Sequence, residues 1–161
     1  SLLYSRYFDL KKNFYLANNF IAYYSDPQQI AYVNYGVLGQ QKQFVRGYEL
    51  YIVEGPWYLL NKTTFKKLIF NRNYHWALMP ARQFRHIPLS IYLKTYADLG
   101  YVRNYSYYEE RKLNTRLSDK VLFGTGLGID VVGFYDIVLR FEYSFIAEGK
   151  EGFFFHVKKE Y

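Results

Sequence analysis

The chain has 161 residues, no cysteine, a net charge of +7, and 22% aromatic residues, with Tyr 20 and Phe 14. That length fits one domain; the missing thiols exclude disulfide frameworks and cysteine chemistry, and the aromatic content excludes disorder. The basic residues are spread along the chain, with tight pairs only at Lys11-Lys12, Lys66-Lys67 and Lys158-Lys159, so the charge makes no nucleic-acid footprint.

Period-two alternation dominates from the first residues. Leu2 to Leu10 and Phe14 to Ser25 read as strands joined by a turn at Lys11-Lys12-Asn13, and Asp26-Pro27 ends the second. Residues from Gln28 to Pro56 show no sustained alternation and read as a long functional connection. Leu59 to Phe70 reads as a strand and Asn71-Arg72-Asn73 as a polar loop. Pro80 and Pro88 mark the approach to a strand from Leu89 to Tyr101, and Tyr105 to Leu117 reads as a second long loop.

The last three strands are Val121 to Val132, Ile137 to Phe145 and Phe153 to Tyr161, with turns at Gly133-Phe134-Tyr135 and Glu148 to Gly152. Gly124, Gly126, Gly128 and Asp130 lie on one face, and Leu127 and Ile129 on the other. Leu139, Phe141, Tyr143 and Phe145 oppose Arg140, Glu142 and Ser144, while Phe153, Phe155, Val157 and Tyr161 oppose His156 and Lys158. The fold class is therefore all-β, with about seven antiparallel strands and no convincing helix.

Alternation alone leaves two readings open: a soluble sheet with its apolar face inside, or a membrane barrel with that face on lipid. No apolar run reaches the length of a membrane helix, because Asp130, Asp136 and Arg140 break the best stretch, but a membrane strand needs only about ten alternating residues. Three features favour the membrane: aromatic-rich strand faces, short turns alternating with long loops, and glycines on a polar face, where gaps cost little beside a wet lumen. The strand-like patterns at both ends predict that the chain is one piece of a larger protein.

Two local elements stand out. Val45-Arg46-Gly47-Tyr48 lies within the long loop, with Glu49 and Gly55 after it. Tyr96-Ala97-Asp98-Leu99-Gly100 puts Tyr96, Asp98 and Gly100 on the polar face of the fifth strand, with Lys94 two residues earlier. In this order the two elements resemble the BamA/TamA superfamily of outer-membrane assembly and secretion barrels. That family carries a (V/I)RG(F/Y) motif at the tip of a loop folded back into the barrel. An aromatic-x-Asp-x-Gly pattern stands on the second of the five strands that follow, and the last strand ends on an aromatic residue, here Tyr161.

The resemblance covers nearly the whole chain and implies the last seven or so strands of a sixteen-stranded transmembrane barrel, with residues about 26–57 as the arginine-glycine loop. The resemblance implies that the early strands and periplasmic domains of such a protein lie outside this sequence. It implies a cell outer-membrane location of the Gram-negative type and no enzymatic activity, cofactor or metal. The implied partners are membrane lipid, client outer-membrane or secreted polypeptides and accessory assembly lipoproteins, with no nucleic acid. Arg46 would pair with Asp98, Tyr48 would contact the wall, and Phe153 to Tyr161 would be the closing strand that templates client strands. Lysines stand where the family often has a second acid after the loop, leaving Glu49 or Asp130 as substitutes, and Lys159 departs from the apolar residue preferred two before the end.

The other candidates are weaker. His75, His86 and His156 show no metal-ligand spacing. Gly124-x-Gly126-x-Gly128 lacks the spacing and following helix of a dinucleotide site. No nucleophile elbow exists, and Asp136, Glu142 and Glu148 read as ordinary lumen or loop charge. The competing function is a self-contained small barrel acting as ligand binder or enzyme, which an open sheet edge would argue against.

Overall fold

The computed structural model describes residues 1–25, 37–39, 43–75, 86–133 and 137–159. Its strands are β1 (Leu2–Asp9), β2 (Phe14–Tyr24), β3 (Val37–Leu38), β4 (Val53–Glu54), β5 (Trp57–His75), β6 (His86–Val102), β7 (Val121–Val132), β8 (Ile137–Ile146) and β9 (Glu151–Lys159). One helical turn, α1 (Ser106–Glu110), interrupts the connection between β6 and β7. The features expected at Asp26-Pro27, Pro80, Phe134-Tyr135, Asp136 and Tyr161 lie outside the described residues.

Seven strands form one antiparallel sheet in the order β1-β2-β5-β6-β7-β8-β9. Each neighbour in the sheet follows its partner along the chain, apart from the β3–β4 pair, which forms its own small ladder inside the long loop. Among the described residues β1 pairs only with β2 and β9 only with β8, so the sheet has two open edges.

Alternation divides the sheet into two unlike faces. On β7 and β8, Leu127, Ile129, Leu139, Phe141, Tyr143 and Phe145 are exposed, while Asp130, Glu142 and Ser144 are buried. On β6, Leu93 and Leu99 are exposed, while Lys94 and Asp98 are at most 2% exposed. This is the reverse of a sheet that hides its apolar face from water. The chain is all-β and antiparallel, with apolar side chains outward and charge inward.

Three connections depart from the sequence expectation. The polar stretch Asn71-Arg72-Asn73 is strand, not loop, and pairs with Ser90, Leu89 and Pro88 after a register shift between Leu68 and Phe70. Its side chains are all exposed, so the ladder here needs no apolar alternation. Pro88 stands in the first residues of β6, opposite Asn73 of β5, near the strand end where proline is tolerated. Tyr105 to Leu117, read as loop, contains α1, and the long loop contains β3 and β4.

An apolar cluster lies at the loop end of the sheet. Val45 and Tyr48 of the loop join Leu60 of β5, Val102 of β6, Leu122 of β7 and Ile146 of β8. Burying these side chains removes apolar area from water at about 25 cal/mol per Å². The cluster therefore pins the long loop to the strand ends before any charge is considered.

Candidate functional site: the docked arginine-glycine loop

The loop tip makes a tight turn, with the Tyr48 N–H donating to the Val45 carbonyl at 2.9 Å and the Tyr51 N–H to the Tyr48 carbonyl at 3.0 Å. Gly47 has a φ of +95°, and a Cβ there would collide with Cγ2 of Ile146. Both the backbone conformation and the close approach to β8 demand glycine.

Val45 is fully buried and fills a recess between two wall glycines. A Cβ on Gly100 would stand 2.5 Å from one Val45 methyl, and a Cβ on Gly124 would stand 3.0 Å from the other while overlapping the Arg46 carbonyl. The remaining glycines of β7 are also occupied. A Cβ on Gly126 would collide with the Tyr96 ring, and one on Gly128 would stand 2.7 Å from Lys94 Cε and 3.2 Å from Glu142 Cγ. The sequence reading of these three glycines as gaps beside a wet lumen is corrected: they are seats for the loop backbone and for side chains from β6 and β8. Period-two spacing located them on the inner face but carried no information about what would pack there.

Arg46 meets the wall through a fork. Its Nε donates to Asp98 Oδ2 at 2.8 Å and its Nη2 to Oδ1 at 2.5 Å, while its backbone N–H donates to Oδ2 at 3.1 Å. The Nη2 group also donates to the Thr63 carbonyl at 3.3 Å. The guanidinium lies 3.9 Å from the centre of the Tyr96 ring, whose hydroxyl hydrogen-bonds Ser144 at 2.5 Å. Asp98 has no exposed surface. A bidentate pair sealed this way combines charge-assisted hydrogen bonds with a cation–π contact.

The structure assigns the second acid near Arg46 to Glu142, whose Oε1 is 3.9 Å from Arg46 Nη1. The alternatives offered by the sequence, Glu49 and Asp130, are engaged elsewhere. Asp130 takes Lys66 at 2.9 Å, Lys94 at 2.8 Å and both fork nitrogens of Arg140 at 3.0 and 3.1 Å. Lys94 also reaches Glu142 at 2.8 Å, so one buried ammonium bridges two buried carboxylates. The lysine-bearing strand after the loop thus finds its acids on β7 and β8. Sequence spacing could not assign these partners, because they depend on the register of three strand pairs.

Glu49 of the loop pairs with His156 of β9 at 2.9 Å, and Glu142 is 3.6 Å from the same nitrogen. Burial raises the Glu49 carboxyl above its ordinary value, with His156 opposing and Glu142 adding to the rise. Ligand atoms of Glu49, Glu142 and His156 lie within 4.8 Å of one another, a constellation that the histidine spacing did not suggest. Lys94 and Arg46 already supply positive charge at Glu142, so the cluster reads as an ion-pair clamp between loop and last strand.

The sequence-selected residues therefore fall into two groups. Val45, Arg46, Gly47, Tyr48, Tyr96, Asp98 and Gly100 meet in one site on the inner face. Phe153, Phe155 and Val157 stand on the outer face of β9, each more than half exposed. Tyr161 lies outside the described residues.

Compared with family models, curated proteins and solved structures, the chain matches none.

Proposed function

We propose that the chain is the C-terminal barrel portion of a BamA/TamA-like outer-membrane protein assembly or translocation factor. In this reading the apolar face meets outer-membrane lipid, the charged face lines a lumen, and the rest of a sixteen-stranded barrel lies outside these 161 residues. The protein performs no bond chemistry; it handles client polypeptides at the seam, and accessory assembly lipoproteins are further partners of this reading.

The observation that carries the reading is the bidentate Arg46–Asp98 pair, which seats a long loop on the inner face of an all-antiparallel sheet. A loop of this length loses much conformational freedom when ordered. The Val45 recess, the Tyr96 stack and the Glu49–His156 pair supply the compensating contacts. They also tie the loop to β9, the strand with an open edge. Unpaired N–H and C=O groups on such an edge can template an incoming strand. A self-contained small barrel would require β1 to pair with β9, and no such pairing exists among the described residues.

A photocrosslinker placed at Gly152 or Phe154, half-buried positions of β9 opposite Ser144 and Glu142, tests the reading during client synthesis in cells. Crosslinks to nascent outer-membrane or secreted polypeptides support it. Recovery of the protein in soluble fractions, with no client adduct from any β9 position, defeats it.

A further inference from the structure

β5 and β6 run for 19 and 17 residues, against 10 and 9 for β8 and β9. The surplus lies at the turn end of the sheet, away from the docked loop. On one side, pairing of β2 with β5 ends at Phe14 opposite Lys67, and the Leu68 N–H then donates to the Asn13 carbonyl at 2.9 Å. On the other side, pairing of β7 with β6 ends at Val132 opposite Ser90. The β5–β6 ladder continues past both, from Arg72 opposite Leu89 to His75 opposite His86. A two-stranded ribbon therefore projects beyond its neighbours.

From Ile69 to Tyr74, β5 has no strand on its outer edge among the described residues. Ile69 is 55% exposed and Tyr74 47%, and Asn71, Arg72 and Asn73 between them are exposed too. Alternate residues along such an edge leave their N–H and C=O groups without a ladder partner. Proline is one device that blunts a strand edge; β6 carries Pro88 in the ribbon, and the Ile69 to Tyr74 edge carries none. Phe70, Arg72 and Tyr74 share one face of β5. No aspartate or glutamate occurs between Glu54 and Asp98, so the ribbon's own sequence offers Arg72 no acid.

We propose that this edge docks an acidic polypeptide segment, added as an antiparallel strand with a carboxylate opposite Arg72 and apolar residues opposite Phe70 and Tyr74. Directly opposed side chains set the energetics of strand pairing: opposite charges stabilise it and like charges oppose it. A second copy added by the same edge, in the register centred on Arg72, would set cation against cation. An anionic lipid headgroup could meet Arg72 but brings no backbone to the unpaired edge, whereas an acidic strand satisfies both. The inference stands on the strand ladder and the charge pattern and does not depend on the assembly reading.

The test uses the full-length protein that contains this chain, purified in detergent, and a fluorescein-labelled Ser-Val-Thr-Glu-Thr-Val-Ser peptide followed by fluorescence anisotropy. Saturable binding is expected, and lysine in place of the glutamate should weaken it about tenfold or more. Methylating alternate backbone nitrogens of the peptide, on the pairing edge, should abolish it. Arg72→Glu should weaken the acidic peptide about tenfold and strengthen the lysine peptide, an exchange that a merely unfolded ribbon would not produce. Arg111→Glu, at an exposed arginine in the β6–β7 connection, should change neither. Absence of saturable binding of the acidic peptide overturns the proposal, as does binding that backbone methylation or Arg72→Glu leaves intact. Arg72-dependent binding of phosphatidylglycerol without binding of the peptide overturns it in favour of a lipid contact, and self-association that Arg72→Glu abolishes overturns it in favour of a second copy.

Discussion

Replacing Gly124 by alanine adds one methyl group and alters no charge, yet it should undock the loop. The new Cβ would overlap the carbonyl of Arg46 and press to 3.0 Å on a Val45 methyl. The obstacle is backbone held by a fork of hydrogen bonds, so it cannot rotate away as a flexible side chain would. Overpacking of this kind costs about 1–3 kcal/mol. The lower end alone shifts the docked-to-undocked ratio about fivefold. These 161 residues carry no cysteine, so Val45→Cys places their one thiol at a fully buried position of the tip, and the maleimide labelling rate at that position follows the undocked population. Gly124→Ala should speed that labelling about fivefold or more. Gly133→Ala, where a Cβ would meet nothing within 4 Å, should leave it unchanged. Equal rates in the two variants would refute the argument that wall glycines are seats for the loop.

Lys94→Met leaves Glu142 without its nearest cation while Asp130 keeps Lys66 and Arg140; breaking such a buried cluster should cost about 3–5 kcal/mol, read as a lower denaturant midpoint in detergent. Tyr96→Phe keeps the ring beneath Arg46 and loses the Ser144 hydrogen bond, for about 1 kcal/mol, whereas Tyr96→Leu should lose about 0.5–2 kcal/mol more with the cation–π contact, as unfolding curves of both variants would show. The raised Glu49 carboxyl means that the folded state holds its proton more tightly than the unfolded chain does. Its contribution is fully present below the ordinary value of 4.5 and is lost as pH rises through the raised folded value. Stability measured across that window should therefore fall with rising pH, and Glu49→Gln should flatten the slope.

The faces of β7, β8 and β9 were legible because period two leaves each residue only two directions, and the glycine-aspartate alternation of β7 marked one of them. The ends of β5 and β6 were not legible: Asn71, Arg72 and Asn73 carry no apolar alternation, and their strand character comes from pairing with Ser90, Leu89 and Pro88. Arg46 and Asp98 were singled out by their local residue patterns, 52 positions apart in the chain. Partners assembled across several strands escaped this reading. Lys94 bridges Asp130 and Glu142 only because β6, β7 and β8 lie in a particular register, and Glu49 reaches His156 only because the loop turns at Gly47. The seating of Val45 against Gly100 and Gly124 is likewise a property of packing, for which a glycine in a strand pattern offers only a hint.

The most direct measurement is a double-mutant cycle on client assembly, using Arg46→Ala, Asp98→Ala and the pair in the full-length protein, with the rate of client insertion into liposomes as the readout. Each single change removes one half of a buried bidentate pair and leaves the other uncompensated, a loss of about 3–5 kcal/mol in loop docking. The account predicts that either single variant impairs insertion strongly and that the double variant is little worse than either. Additive losses, or undiminished insertion when the pair is broken, would contradict it.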